Sequence, residues 1–315
     1  MPFTFPIWHK KAMEPLKILS LLHSESKCKA YFKGIREKQG ITCHRYGHKE
    51  HYWKCDKSVY ECKACRSRQS LRSGTVMENS KRPYRYWLAA IYHMGTGKKA
   101  VSAPYLRRLL RHKRYEPIRY MMQKVRMLMG KSDSGFLLQG EIETDGASLY
   151  VKGPEQLTRT GKEKRAKVNI LFSVEAEAVE PNPKHKIAKK IGKLKMTVLN
   201  NMEKEGVGNA VKCQFDAGAS VTTDAHKSFH DMGKWVRQHT WKVVSYPENT
   251  ALKHLPVVHI MIGNFKNMMR GIYHSCKKCY VQNYADEFCY KFNRRYTQPY
   301  IVNALSVDCI SNTWY

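Results

Sequence analysis

Apolar residues recur at helical spacing over 14–39: Leu16, Ile18, Leu19, Leu21 and Leu22, then Cys28, Tyr31, Phe32 and Ile35. This predicts one or two short helices. Over 40–80 the pattern changes to short alternating stretches rich in Cys, His, aromatic residues and Gly, which predicts a small β-rich module. Helical periodicity returns over 81–131. From about residue 138 the pattern is that of strands. Gln139–Asp145 and Leu194–Leu199 alternate, Val168–Ala176 is an apolar, β-branched run, and Ala219–Asp224 is a fourth short one. The Pro/Gly/Lys-rich stretch 177–193 reads as a loop between strands, and 256–292 reads as helix with aromatic punctuation. The expected layout is a helical segment 14–39, a β-rich module 40–80, a helical region 81–131, a strand-then-helix region 138–296 and a tail 297–315. No repeat at a fixed period is visible, which argues against a solenoid.

Composition sharpens the picture. The 315 residues include 56 Lys and Arg against 26 Asp and Glu, a formal charge of +30, and 42% are hydrophobic. That apolar fraction suits packed cores. The charge opposes compaction by self-repulsion, so it points to a polyanionic partner, nucleic acid first. No apolar run approaches the roughly 18 residues of a membrane span. The start, MPFTFPIWHKK, lacks the apolar stretch of a secretory signal. Secreted, membrane-embedded and coiled-coil classes are therefore excluded and a cytoplasmic protein is expected. There the ten cysteines favour metal ligation over disulfides.

Cys62-Lys-Ala-Cys65 is one CxxC, and Cys43 lies 19 positions before Cys62. A second knuckle at Cys43 would complete a zinc-ribbon spacing, but its second position is Tyr46. Zinc takes four N or S ligands. Cys43, Cys62 and Cys65 need a fourth, with His48, His44 or Cys55 as candidates; otherwise the ribbon is held by its aromatic residues without metal. Gly47 supplies the turn after the broken knuckle. Cys276 and Cys279 form another CxxC with no partner pair and read as incidental thiols.

Residues 98–131 hold eleven Lys or Arg against a single acid, Glu116. Ser102 can cap a helix carrying Leu106, Leu109 and Leu110. After the turn His112-Lys113-Arg114, Glu116 and Pro117 open a second helix with Ile118, Met121, Met122, Val125 and Met129 on one face. Two helices joined by a tight basic turn suit a helix-turn-helix on DNA, with Lys113, Arg114, Arg119, Lys124 and Arg126 as phosphate contacts. The Met stripe reads as core. Arg294 and Arg295, past the last helical pattern, are further candidates for DNA.

In a chain this poor in acids, Asp145 and Asp224 stand out because each closes a strand-like run. Acids at the ends of neighbouring strands can converge and hold divalent cations; each can also simply cap a turn.

Taken in order, several strings resemble one family. They are Cys62-Lys-Ala-Cys65-Arg, Ser70-Leu-Arg-Ser-Gly-Thr-Val76, Trp87-Leu-Ala-Ala-Ile-Tyr92 and His112-Lys-Arg-Tyr-Glu-Pro117. Further on come Gly140-Glu-Ile-Glu-Thr-Asp145, Thr223-Asp224-Ala-His-Lys-Ser228, His259, Asn264-Phe-Lys266 and Tyr290-Lys-Phe-Asn-Arg-Arg295. Over about residues 20–296 the chain resembles insertion-sequence transposases with an ISXO-type DDE domain behind a zinc ribbon. The resemblance implies an α+β/α/β multidomain fold ending in an RNase H-like mixed sheet flanked by helices. It implies Asp145 and Asp224 as metal-binding catalytic acids, Asn264 in the third position with Lys266 associated, and His259 near the site. It implies two Mg or Mn ions, zinc in the ribbon, and DNA partners at element ends and target. A homo-oligomer on DNA and a bacterial, nucleoid-associated location follow from the same likeness. The implied reaction is hydrolysis at an element end, then attack of the freed 3′ hydroxyl on target DNA.

Departures are Tyr46, Gly146 where the family has an acid, an apparent insertion over Gly146–Gly153, and Gly263 where serine is common. They motivate an alternative: a catalytically decayed relic that only binds DNA. A metal-dependent nuclease on structured nucleic acid is a third reading.

Overall fold

A computed structural model describes residues 12–157, 163–180, 189–243, 254–273 and 276–314. The chain forms two compact units, the first up to Met129 and again from Tyr296, the second Gly130–Arg295.

In the first unit, α1 (Pro15–Leu22) and α2 (Glu25–Gln39) are the two expected short helices. The Ser24 hydroxyl accepts from the Lys27 amide and caps α2. A three-stranded antiparallel sheet follows, β1 (His51–Lys54), β2 (Val59–Cys62) and β3 (Arg68–Ser70), in that order. Next come α3 (Tyr84–Thr96), α4 (Ala103–Leu109) and α5 (Glu116–Asp133). The carboxylate of Glu25 accepts from the amides of Tyr84 (2.6 Å) and Arg85 (3.0 Å), so α2 caps the exposed donors of α3. Ser102 accepts from the Tyr105 amide at 3.3 Å and caps α4, as its sequence position predicts. Ile118, Met121, Met122, Val125 and Met129 are all buried, so the Met stripe of α5 is core.

In the second unit, β4 (Glu141–Leu157), β5 (Glu163–Ala178) and β6 (Lys189–Leu199) run antiparallel to their neighbours. After α6 (Lys204–Gln214), β7 (Ser220–Asp224) and β8 (Gln238–Lys242) run parallel to β4, and the sheet order is β6-β5-β4-β7-β8. The helices α7 (Pro256–Gly271) and α8 (Val281–Asn293) follow. Ile142, Leu171 and Val221 pack with Val207, Val211 and Phe215 around α6. On the opposite face Phe172 meets Phe265 of α7, which meets Phe288 of α8. This mixed sheet, helix-covered on both faces, is compatible with an RNase H-like core.

Two expectations change. The residues after Asp145, read as an insertion, lie in regular strand: β4 pairs β5 without a break from Ile142↔Glu175 to Lys152↔Arg165. A side chain at Gly146 would meet the end of Met202. Strand β6 begins at Lys189, inside the stretch read as a loop, while 181–188 lie outside the described residues. The supposed tail is a helix, α9 (Gln298–Ser311), packed in the first unit against α2 and α3. Its Ile301, Val302, Leu305, Cys309 and Ile310 are buried. It meets α3 at Gly95, where an added Cβ would come within 2.5 Å of Ile301. A helix buried on most of its circumference carries no amphipathic stripe, which is why its periodicity is silent.

Candidate active site

Parallel pairing of β4 with β7 registers Glu143 opposite Thr222. Two residues further along each strand stand Asp145 and Asp224. Side chains alternate along a strand and neighbouring strands lie about 4.8 Å apart, so the two carboxylates emerge on one face, side by side. The Asp145 side chain is only 13% exposed. Burial pushes its carboxyl up to about 6, the negative charge of Asp224 adds to the rise, and His259, the Gly146 N–H and Lys266 draw it back down. The Gly146 amide donates to Asp145 Oδ1 at 2.7 Å, and His259 Nε2 lies 3.6 Å from Oδ2. Asp224 Oδ1 accepts from the His226 amide at 3.3 Å, which ties it to the turn that follows.

Helix α7 delivers the remaining groups, and Glu143 seats it. Glu143 is 1% exposed; its Oε2 accepts from the amides of Val257 (2.8 Å) and Val258 (2.9 Å), and its Oε1 from Lys189 Nζ (2.7 Å). A carboxylate at a helix N-terminus satisfies orphan donors and complements the dipole. The first turn of α7 is thereby fastened to β4 two residues before Asp145. Lys266 follows His259 by seven residues, two turns, and falls on the same side of α7. Asn264 follows His259 by five, which puts it about 140° round the helix. It is exposed, whereas His259 and Lys266 are half-buried. The structure thus gathers Asp145, Asp224, His259 and Lys266 and leaves Asn264 off their side of the helix. Gly263 lies on that side, and a Cβ there would meet nothing within 4 Å. The positioning role of Glu143 escaped the sequence reading, whose only signal was an acid two residues before Asp145.

Residues 137–293 match the ISXO2-like transposase domain family. By that domain the chain belongs to the ISXO2-like insertion-sequence transposases. No match was found among curated proteins. Members of this class act on DNA and use divalent metals. The residues present fit such an ion: two carboxylates converge, and Asp145 is raised by burial and by its like-charged neighbour, a strain that a cation relieves. Glu143 is a poor ligand because its oxygens are already taken. Among the described residues, no helix of the transposase is long and apolar enough to cross a membrane.

In the ribbon of the transposase, the sulfurs of Cys43, Cys62 and Cys65 lie within 4.8 Å of one another. The two knuckles are backbone copies. The amides of Gly47 and Arg66 return to the carbonyls of Cys43 (2.9 Å) and Cys62 (3.0 Å), and both residues hold positive φ, 66° and 57°. Tyr46 thus occupies the position of a fourth cysteine, but its side chain is 75% exposed. His48 stands outside the thiol cluster and offers only its carbonyl, to the Cys43 amide at 2.9 Å. Cys55 is exposed in the β1–β2 turn. The polar group that does approach is the Ser67 hydroxyl, 3.2 Å from the sulfurs of both Cys43 and Cys65. Hydrogen bonds from Ser67 first, then from the Tyr46 amide, pull the Cys43 thiol down to about 6. Three converging sulfurs, one of them easily ionised, suit a zinc ion with its fourth position open.

The residues expected on DNA divide sharply. Lys113 and Arg114 are exposed in the turn between α4 and α5. Arg119 lies over the Tyr120 ring, 5.0 Å from its centre. Lys124 donates to the Val76 carbonyl at 3.2 Å and covers Trp314. Arg126 is 1% exposed, so it belongs to the interior. Arg294 pairs with Asp133, and Arg295 donates to the carbonyls of Ile191 and Gly192 on β6. Lys124, Arg126, Arg294 and Arg295 are thus engaged in holding the fold. Charge along a sequence does not distinguish a cation facing solvent from one facing a buried acceptor.

Proposed function

We propose that this transposase cuts the ends of its element and joins the freed 3′ hydroxyl to target DNA, with Asp145 and Asp224 as ligands of a two-metal centre. The observation that carries this reading is the pair itself: two carboxylates on adjacent parallel strands, Asp145 raised first by its burial and then by the charge of Asp224. Divalent cations held there would activate the attacking oxygen and stabilise the leaving one. Asp145 and Asp224 offer their oxygens from the middle of a sheet, so they move little between the two steps. Glu143 holds α7 against β4 and so keeps His259 beside Asp145. Lys266 adds positive charge where a phosphate would approach. Zinc is proposed for the three ribbon thiolates, and a dimer or larger on DNA, because two element ends must be held together.

The test is cleavage and joining of duplexes bearing the element ends, with magnesium or manganese. Asp224→Asn should abolish both reactions and leave DNA binding unchanged. Cleavage that survives this substitution would overturn the assignment. The alternative, a relic that only binds DNA, draws on Gly146 in place of an acid and on the exposed Asn264. It predicts no cleavage by the unaltered protein with either ion. Short inverted repeats flanking the reading frame would support the insertion-sequence origin.

A further inference from the structure

The first unit contains a cleft of about 360 Å³ lined by Arg82, Arg111, His112, Lys113, Arg114 and Pro117. Four cations and an imidazole line it, with no carboxylate. Among the described residues none of the four cations makes an ion pair. Like charges gathered this way repel, and an anion would offset that repulsion.

The cleft is built rather than incidental. Arg111 holds a left-handed φ of 49°, unusual for a side chain with a Cβ. The amides of Arg111 and His112 fix the turn by donating to the carbonyls of Arg108 and Arg107, each at 3.0 Å. His112 Nδ1 lies 2.8 Å from the Arg114 carbonyl oxygen, and Nε2 meets the Arg82 guanidinium. The imidazole stands edge-on to Tyr86, whose hydroxyl donates to the Leu110 carbonyl at 3.0 Å. Behind it, Arg72 holds the Arg82 carbonyl and Ser80 Oγ accepts from the Arg82 amide at 3.2 Å. Arg82 and His112, pinned in this way, lose little freedom when a ligand arrives, while the side chains of Arg111, Lys113 and Arg114 are exposed beside them.

We propose that this cleft seats one backbone phosphodiester of DNA, gripped by Arg82, Arg111, Lys113 and Arg114. The inference rests on the reading of the chain as a DNA transposase and adds the anchoring point. Guanidinium forks match phosphate oxygens, and an open cleft admits a phosphate that continues into sugars on both sides. The site moves the DNA contact from the α5 helix to the turn before it. That shift agrees with the engagement of Lys124 and Arg126 of α5 inside the protein. A phosphate grip positions the duplex and carries no base preference.

The test uses the full chain in an Asp145→Asn background, so that binding is read without cleavage. Fluorescence anisotropy is followed with two labelled duplexes of unrelated sequence over a range of KCl. Arg111→Gly suits the left-handed backbone, Lys113→Gln alters an exposed residue, and the pair is compared with the parent after thermal melting shows both folded. The double variant should lose affinity by the same factor on both duplexes, and the slope of log K against log salt should fall by about one. An unchanged slope and affinity would overturn the proposal, and so would a loss confined to one sequence. Calorimetry with inorganic phosphate separates the sources. Tight phosphate binding that the double variant loses, with DNA affinity unchanged, would make this a small-anion site and also overturn it. Lack of cleavage by the unaltered protein would defeat the transposition reading while leaving these binding results to stand or fall separately.

Discussion

His259 Nε2 of α7 stands 3.6 Å from Asp145 Oδ2 of β4, although 114 residues of chain separate them. The contact exists because Glu143, on the same strand face as Asp145, takes the first two free amides of the helix that carries His259. The geometry of the carboxylate pair and the docking of α7 are thus one arrangement.

Asp145 makes metal-free stability depend on pH. Its folded pKa of about 6 exceeds the ordinary 3.8, so the folded state binds the proton more tightly. The ionised group therefore costs stability above about pH 6, and the cost is relieved as pH falls from about 6 towards 3.8. The shift corresponds to about 3 kcal/mol. Asp145→Asn should raise the melting temperature of metal-free protein at pH 7.5 and change it little at pH 3.8. Magnesium or manganese should stabilise the parent more at pH 7.5 than at pH 5, and should lose that effect in the variant. Equal metal shifts in both proteins would contradict the assignment.

Glu143→Ala should destabilise the protein by about 2 kcal/mol, because it leaves two buried helix amides without an acceptor and removes the partner of the partly exposed Lys189 ammonium. Glu143→Gln, which keeps an acceptor for the amides, should lose less. Urea unfolding measures both. A loss below about 0.5 kcal/mol for Glu143→Ala would show that α7 docks without it.

On α7, Lys266→Ala should slow strand transfer at least tenfold, whereas Asn264→Ala should leave it within about twofold. One removes a charge beside the carboxylates and the other an exposed amide off that side of the helix. Gel assays of joined product give the comparison. The opposite ranking would mean that α7 turns on binding DNA.

In the ribbon, cobalt replacing zinc should show the absorption of a three-sulfur site. Tyr46→Cys should raise its intensity towards the four-sulfur pattern and tighten metal binding, because the knuckle backbone around position 46 already has the required turn. Cys65→Ser should weaken binding strongly. Unchanged spectra in Tyr46→Cys would show that position 46 cannot reach the ion.

Much was legible along the chain wherever structure is local. The Met stripe buries one side of α5, Ser102 caps the helix it precedes, and Gly47 turns the knuckle, because each depends on neighbours within a few residues; the Leu-rich stretches are only partly buried, with Ile18 and Leu106 inside and Leu16, Leu19 and Leu109 exposed. The family strings marked both Asp145 and Asp224; Asp224 closes β7 as its run predicts, whereas Asp145, read as the end of a run, lies inside β4, which continues to Leu157. The aligned register that sets them side by side was not legible, since pairing between β4 and β7 joins segments some 79 residues apart.

What the sequence determined by itself was the order of helices and strands, the excess of positive charge, and membership of a family whose strings survive in order. Only the tertiary structure decided which charges are free. Arg126 and Arg294 look like Lys113 and Arg114 in one dimension, yet Arg126 is buried, Arg294 pairs with the buried Asp133, and the last two line an uncompensated cleft. Glu143 reads as one more acid until two amides and an ammonium close around it from 114 and 46 residues away. The physical reason is the same in each case. Periodicity and capping are written into nearby residues, whereas burial and ion pairing depend on which distant segment the fold brings alongside.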